Sequence, residues 1–186
     1  MANSSQVVCI VGQIASGKTT LAGYLEQNGL ERIVTYTTRP PREGETDGED
    51  YIFLPESDFL KRQEEGFFAE HTEYEAEFGH VYYSTSKESL ETPGGIRKVI
   101  VLNPAGVMAL KNTGYDIFVV YLDFEQETLM RRALARGDSP VEIARRIKDD
   151  IYLFGLLDAG SFVDYRVRDS KMSPEAIAEA LKGVIG

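Results

Sequence analysis

The chain has 186 residues, 42% of them hydrophobic, which suits one compact domain with small inserted subdomains and a sizeable core. Its net charge of −10 argues against a broad nucleic-acid-binding or anionic-membrane surface. No apolar run approaches a membrane span, Met1–Gln6 carries no signal-peptide pattern, and the single cysteine, Cys9, excludes an internal disulfide, so a cytoplasmic protein is expected.

The first element is the apolar run Gln6–Val11, read as a buried parallel strand that carries Cys9 as a small hydrophobe. Gly12-Gln13-Ile14-Ala15-Ser16-Gly17-Lys18-Thr19 follows at once and fits G-x-x-x-x-G-K-[ST], a phosphate-binding loop. A helix is predicted over Lys18–Asn28, with Leu21, Tyr24 and Leu25 at helical spacing. The motif therefore lies between a strand end and a helix start. There, successive backbone N–H groups and the helix N-terminus favour phosphate oxygens. Gly12, Ala15, Ser16, Gly17, Lys18, Thr19 and Thr20 are the expected ATP-binding residues. Lys18 is long enough to reach the β- and γ-phosphates, and the Thr19 hydroxyl is the expected Mg²⁺ ligand.

A second core strand is predicted at Ile33–Thr35, and then the rhythm changes. Residues 37 to 91 open on a turn-rich stretch, Pro40-Pro41-Arg42-Glu43-Gly44, and continue as short alternating segments at Tyr51–Leu54, Phe67–Thr72 and Phe78–Tyr83. One helix, Ser57–Glu65, lies among them, so a small mixed insertion is expected between the second and third core strands. Of the adjacent Tyr82 and Tyr83, one should pack and one should face the other way. The alternation resumes with strands at Val99–Leu102 and Ile117–Leu122, helices at Ala105–Lys111, Glu125–Ala135 and Val141–Phe154, a short strand at Tyr165–Val167, and a last helix from Ser173. The Arg-rich stretch Arg136 to Arg146, with Pro140 inside it, reads as a flap between two helices. The fold class is α/β, a three-layer core around a parallel sheet.

The cations are clustered. Lys18, Arg39, Arg42, Arg131, Arg132, Arg136, Arg145 and Arg146 make up eight of the twenty Lys and Arg residues and fall in three short segments. Brought together, they give an acidic protein one positive cleft suited to a small anion. His71 and His80 are too few and too isolated for a metal site, and no Ser-His-Asp arrangement is suggested.

The stretch Thr35-Tyr36-Thr37-Thr38-Arg39-Pro40-Pro41-Arg42-Glu43-Gly44-Glu45, followed by Asp47-Gly48-Glu49-Asp50-Tyr51, resembles the guanylate kinase family. The resemblance continues through Glu64-Glu65-Gly66-Phe67-Phe68-Ala69-Glu70 and Tyr82-Tyr83-Ser84-Thr85-Ser86-Lys87, then Arg132, Arg136-Gly137, Arg145-Arg146 and Asp164-Tyr165. It implies a P-loop core over 1–36 and 92–186, a nucleoside monophosphate-binding subdomain over 37–91 and an Arg-rich lid at about 132–147. It implies transfer of the γ-phosphoryl group of ATP to GMP or dGMP. Arg39, Arg42, Tyr51 and Tyr83 would hold the acceptor phosphate, Glu70 would accept from guanine N1 and N2, and Thr35 and Thr85 would lie beside the base. Arg132, Arg136 and Arg146 would close over the transferring group. Together with Lys18 and Arg42, these arginines form the expected catalytic set. The expected partners are small-molecule nucleotides, with neither nucleic acid nor membrane, for a monomer or homodimer. Charge neutralisation and positioning are what phosphoryl transfer asks of a protein.

Three places depart from the family pattern. Val101-Leu102-Asn103 stands where an acidic D-x-D-type pattern is usual, and Asn103 is expected to hydrogen-bond a metal-bound water without bringing charge. Ser84 stands where glycine is usual, and the Glu70–Tyr83 segment is longer, with Glu73, Glu75 and Glu77 in it. Two other readings share these residues. One is a kinase of the same fold acting on another (deoxy)nucleotide or a sugar phosphate, and the other is a non-catalytic guanylate-kinase-like interaction module. Scaffold modules of that kind lose the phosphate loop, which here is intact.

Overall fold

The computed structural model describes residues 6–42, 44–76 and 79–185, so Glu43, Glu77 and Phe78 lie outside the described residues. Two sheets organise the chain. The core sheet joins β1 (Val7–Gly12), β2 (Glu31–Arg32), β7 (Lys98–Val101), β8 (Ile117–Leu122) and β9 (Tyr165–Val167). Its order is β2-β7-β1-β8-β9 with every pairing parallel. Strands β1 and β8 are buried along their whole length, as a parallel sheet covered on both faces requires. Their alternation feeds two cores. Val8 and Ile10 pack with Leu21 and Leu25 of α1 (Lys18–Gln27) and with Ile177 and Leu181 of α7 (Pro174–Ile185). Val7, Cys9 and Val11 pack on the other face, with Val107 and Leu110 of α4 (Pro104–Asn112) and with Phe154 and Leu157 of α6 (Pro140–Ala159). The result is the three-layer α/β arrangement expected from the sequence.

The second sheet joins β3 (Tyr36–Thr37), β4 (Ile52–Phe53), β5 (Phe68–Ala76) and β6 (Gly79–Ser86) in the order β4-β3-β6-β5. Strands β3 and β4 run parallel, while β6 is antiparallel to both of its neighbours. Helix α2 (Glu56–Glu64) covers it through Phe59, fully buried, whose ring stacks 4.7 Å from Phe68 and 5.1 Å from Tyr82. Tyr82 is thus the packing tyrosine, and Tyr83 takes the other face.

Two expectations change. The strand expected at Ile33–Thr35 is the crossing between the sheets. Ile33 N–H still donates to Val99 O in the core sheet at 2.9 Å, whereas Thr35 O already accepts from Ile52 N–H of the second sheet at 2.9 Å. Apolar character survives the crossing, but the ladder changes partners. The flap expected over Arg136 to Arg146 is a helical hairpin of α5 (Gln126–Arg136) and α6. Gly137, at φ +96°, closes α5 in the left-handed region. Pro140 opens α6, where its missing N–H is no loss. The remaining helix, α3 (Lys87–Leu90), is a single turn capped by Ser86.

Candidate active site

The phosphate loop joins β1 to α1 and curls over itself. Ala15 has φ +56° and Gly17 φ +92°, and Ser16 N–H donates back to Gln13 O at 3.3 Å. A Cβ on Gly12 would fall 2.5 Å from Ser16 Oγ and 3.0 Å from Leu122 O, so only glycine fits there. Lys18 Nζ bends back and donates to Gly12 O at 2.6 Å and Gln13 O at 2.9 Å. Burial lowers its pKa to about 8; Asp150 works in the opposite direction, and Arg136 and Arg146 add to the lowering. Thr19 and Thr20 are exposed at the start of α1. Thr19 lines a cavity of about 450 Å³ with Arg42, Arg136 and Arg146, whereas Thr20 lines neither cavity described here. Ser16 Oγ is buried with no hydrogen-bond partner among the described residues. Ile14 ties the loop to the helical hairpin by packing on Ala133 and Ile143.

A larger cavity of about 870 Å³ adjoins the first and shares Thr35, Arg42, Tyr51, Val101 and Arg146 with it. One part of it gathers Arg39, Arg42, Tyr51 and Tyr83. Arg39, 6% exposed, is held by Glu45 through two bonds of 2.7 and 2.8 Å, donates to Tyr83 Oη at 3.2 Å, and lies 5.1 Å over the Tyr51 ring. Arg42 N–H also donates to Glu45, at 2.7 Å. Burial, then Arg146 and Arg39, press the Arg42 pKa down, while Tyr83 and Glu45 work against them. Desolvation and the Tyr83 and Glu45 charges raise the Tyr51 phenol against the opposing pull of Arg39 and Arg42.

The other part carries Glu70. Its Oε1 accepts from Thr85 Oγ1 at 2.8 Å, and its Oε2 is buried with no partner among the described residues. Burial lifts this carboxyl to about 7, against the two bonds from Thr85. A half-satisfied carboxylate at a cavity wall suits a ligand that offers paired N–H donors. The β5–β6 register sets Glu70 opposite Thr85 and Thr72 opposite Tyr83. One strand pair therefore carries both the acid and the phosphate-side phenol.

The structure thus gathers Gly12, Lys18, Thr19, Thr35, Arg39, Arg42, Tyr51, Glu70, Tyr83, Arg136 and Arg146 around two adjoining cavities, with Thr85 behind Glu70. Arg132 lies elsewhere. Its guanidinium is 5.2 Å over the Phe124 ring and donates to Ser170 O at 2.5 Å, because it leaves α5 on the side facing the 168–172 loop. Arg136 is paired with Asp138 in the hairpin turn. Asn103 lines the larger cavity and caps a helix. Its Oδ1 accepts from Gly106 N–H at 2.7 Å as the N-cap of α4, and its Nδ2 faces Thr72 Oγ1 at 3.4 Å. Sequence reasoning passed over Glu45, Asp138 and Asp150. The Arg42-to-Glu45 spacing was the available signal for the first. Nothing local marks Asp150, which reaches the cavity only because α6 packs beside the phosphate loop.

The family model described as guanylate kinase matches residues 4–152. A guanylate kinase of Syntrophus aciditrophicus is 38% identical over 137 residues, 71% of this chain and 64% of that protein, so that match spans just under two thirds of the relative. A guanylate kinase of Clostridium perfringens is 30% identical over 188 residues, 97% of this chain and 85% of the relative. One from Nostoc sp. is 34% identical over 153 residues, 78% of this chain and 74% of the relative. The crystal structure of guanylate kinase from Anaplasma phagocytophilum superposes with a TM-score of 0.71, covering all of this chain and 87% of that one at 24% identity, which speaks for the fold. With that family model over most of the chain and a relative 30% identical over 97% of it, the chain belongs to the guanylate kinase family.

Proposed function

We propose that the chain transfers the γ-phosphoryl group of ATP to GMP or dGMP, giving ADP and the guanosine diphosphate. The observation that carries this reading is Glu70. It leaves one buried carboxylate oxygen unpartnered in the cavity that also collects Arg39, Arg42, Tyr51, Tyr83 and Lys18. Guanine offers N1–H and the N2 amine side by side, and one carboxylate accepts both. Adenine has no such pair.

The roles follow from placement. Gly12 to Thr19 hold the ATP phosphates, with Lys18 leaving the loop carbonyls for phosphate oxygens. Residues 37–91 carry the acceptor, and the hairpin around 132–147 serves as lid, bringing Arg136 and Arg146 to the charge that develops on the transferring group. Arg132 would have to leave Phe124 and Ser170 O to close over the transferring group with them. Mg²⁺ fits the donor set by its sparseness. Thr19 offers one hydroxyl at the cavity edge, and among the described residues no cluster of three or more His, Cys, Asp or Glu could hold a metal alone. The ion would be held by Thr19 and the nucleotide phosphates with water, as suits a cation that keeps several waters, and it would neutralise charge on the phosphate oxygens. The same reading takes the partners as small-molecule nucleotides and the protein as cytoplasmic, a monomer or homodimer. Among the described residues no helix is long and apolar enough to cross a membrane.

The test is ADP release measured across GMP, dGMP, AMP, CMP, UMP and dTMP. Guanine nucleotides should lead by several orders of magnitude, since a site built on hydrogen bonds rejects a ligand lacking them by ~10⁴–10⁵. Lys18→Ala should abolish transfer while circular dichroism and melting stay those of a folded protein. Preference for a pyrimidine nucleotide, AMP or a sugar phosphate would overturn the guanine assignment.

A further inference from the structure

Gly106 is a glycine that its protein surroundings do not require. It stands in the first turn of α4, outside the left-handed region, where alanine would favour the helix. At Gly12 the packing leaves no room for a Cβ, whereas at Gly106 the room is there. A Cβ would meet Asn103 Oδ1 at 3.5 Å, Leu102 Cδ2 at 3.6 Å and Glu70 Oε2 at 3.7 Å, all ordinary van der Waals distances. Gly106, Asn103, Leu102 and Glu70 all line the larger cavity, so the space is open to a ligand.

Two of the three neighbouring atoms are acceptors with capacity left. Glu70 is 7% exposed; its Oε1 accepts from Thr85 Oγ1, and its Oε2 has no partner among the described residues. Asn103 Oδ1 accepts from Gly106 N–H at 2.7 Å, and a carbonyl oxygen has two lone pairs. The group that matches this space is small and offers two hydrogens on one atom. A hydroxyl has one to give and a methyl none, whereas a planar amine has two. Resting on the reading of this cavity as a guanine-nucleotide site, we propose that Gly106 is a specificity-determining residue that admits the 2-amino group of guanine. One N–H of the amine goes to Glu70 Oε2 and the other to Asn103 Oδ1. Hypoxanthine keeps N1–H and O6 but carries only hydrogen at C2, so it leaves the space empty and the spare Asn103 lone pair without a donor. The enzyme therefore favours GMP over inosine monophosphate (IMP).

The experiment measures dissociation constants of GMP and IMP by calorimetric titration of the wild-type protein and Gly106→Ala, with thermal melts of both. The wild type should hold GMP tighter by about tenfold or more, as a hydrogen bond to a charged acceptor implies. In Gly106→Ala the methyl takes the place of the amine. The constant for GMP should rise by about tenfold or more while that for IMP stays within about threefold, so the preference falls toward one or inverts. The variant should melt no lower than the wild type. An unchanged ratio overturns the proposal, including the case in which both constants rise together, as they would if the methyl merely disturbed α4. A lower melt shows the space closed to a methyl and overturns it too. A wild type that binds GMP and IMP equally overturns it, with the choice of guanine over adenine and pyrimidines intact. A wild type that binds neither overturns the guanine assignment and this inference with it.

Discussion

Burial holds the Glu70 carboxyl near half ionisation at neutral pH, and only its charged form accepts both guanine donors. Its pKa is raised from 4.5 to about 7, so the KM for GMP should climb as pH falls below 7, by roughly tenfold near pH 6 against the alkaline plateau. The GMP phosphate titrates near pH 6 as well, and that limb should persist in Glu70→Gln while the limb from the carboxyl disappears. The variant should also lose at least about tenfold in kcat/KM for GMP, or ~1.4 kcal/mol. The sign for stability runs the other way. A raised carboxyl pKa favours the folded state below pH 4.5, and that contribution is lost as pH rises through 7. Thermal melts of Glu70→Gln and wild type should therefore coincide near pH 4, with the variant ahead at pH 8 by up to about 3 kcal/mol. Equal melts at both pH values would show the acid to be unstrained. Glu70 is also where sequence reasoning was weakest on its own. Many acids surround it, and only its place in the family pattern singled it out.

At the scale of elements, caps and turns determine where side chains point. Asn103 follows β7 and caps α4, where Pro104 and Gly106 line the cavity wall with Glu70. Asn103→Ala should cost about 1 kcal/mol of stability in chemical denaturation, and Asn103→Asp, which keeps the cap, should cost little. If Asn103→Asp instead alters only the metal titration of activity, with Asn103→Ala neutral in stability, the cap is not the role of this residue. The hairpin turn rests on Gly137 at φ +96°, so Gly137→Ala should destabilise by about 1 kcal/mol through backbone strain alone. Strand and helix periods made most elements legible, from β1 to α7. The crossing at Ile33–Thr35 was not legible, because apolar character does not record which sheet a residue bonds to. The hairpin at 137–139 was not either, because arginine density and a proline describe a flap and a helix start equally well.

Over the whole molecule, arginines of two distant segments, Arg39 and Arg42 with Arg136 and Arg146, meet around two adjoining cavities that also hold Glu45, Glu70 and Asp138. Burial first, then Arg146 and Arg39, press the Arg42 pKa down, so an anion bound between these two segments should draw them together. A bisubstrate analogue should therefore protect both 37–91 and the α5–α6 hairpin from hydrogen exchange, and protection confined to the phosphate loop would exclude lid closure. The phosphate loop, the three-layer fold and the arginine-rich segments were determined by the sequence, because each is a local pattern of spacing and residue type. The pairing of Arg39 with Glu45, the departure of Arg132 to Ser170, the capping role of Asn103 and the arrival of Asp150 beside Lys18 were decided by tertiary structure alone. Each depends on which faces of distant elements meet, and a side chain's partner across a cleft leaves no trace in the residues next to it in the chain.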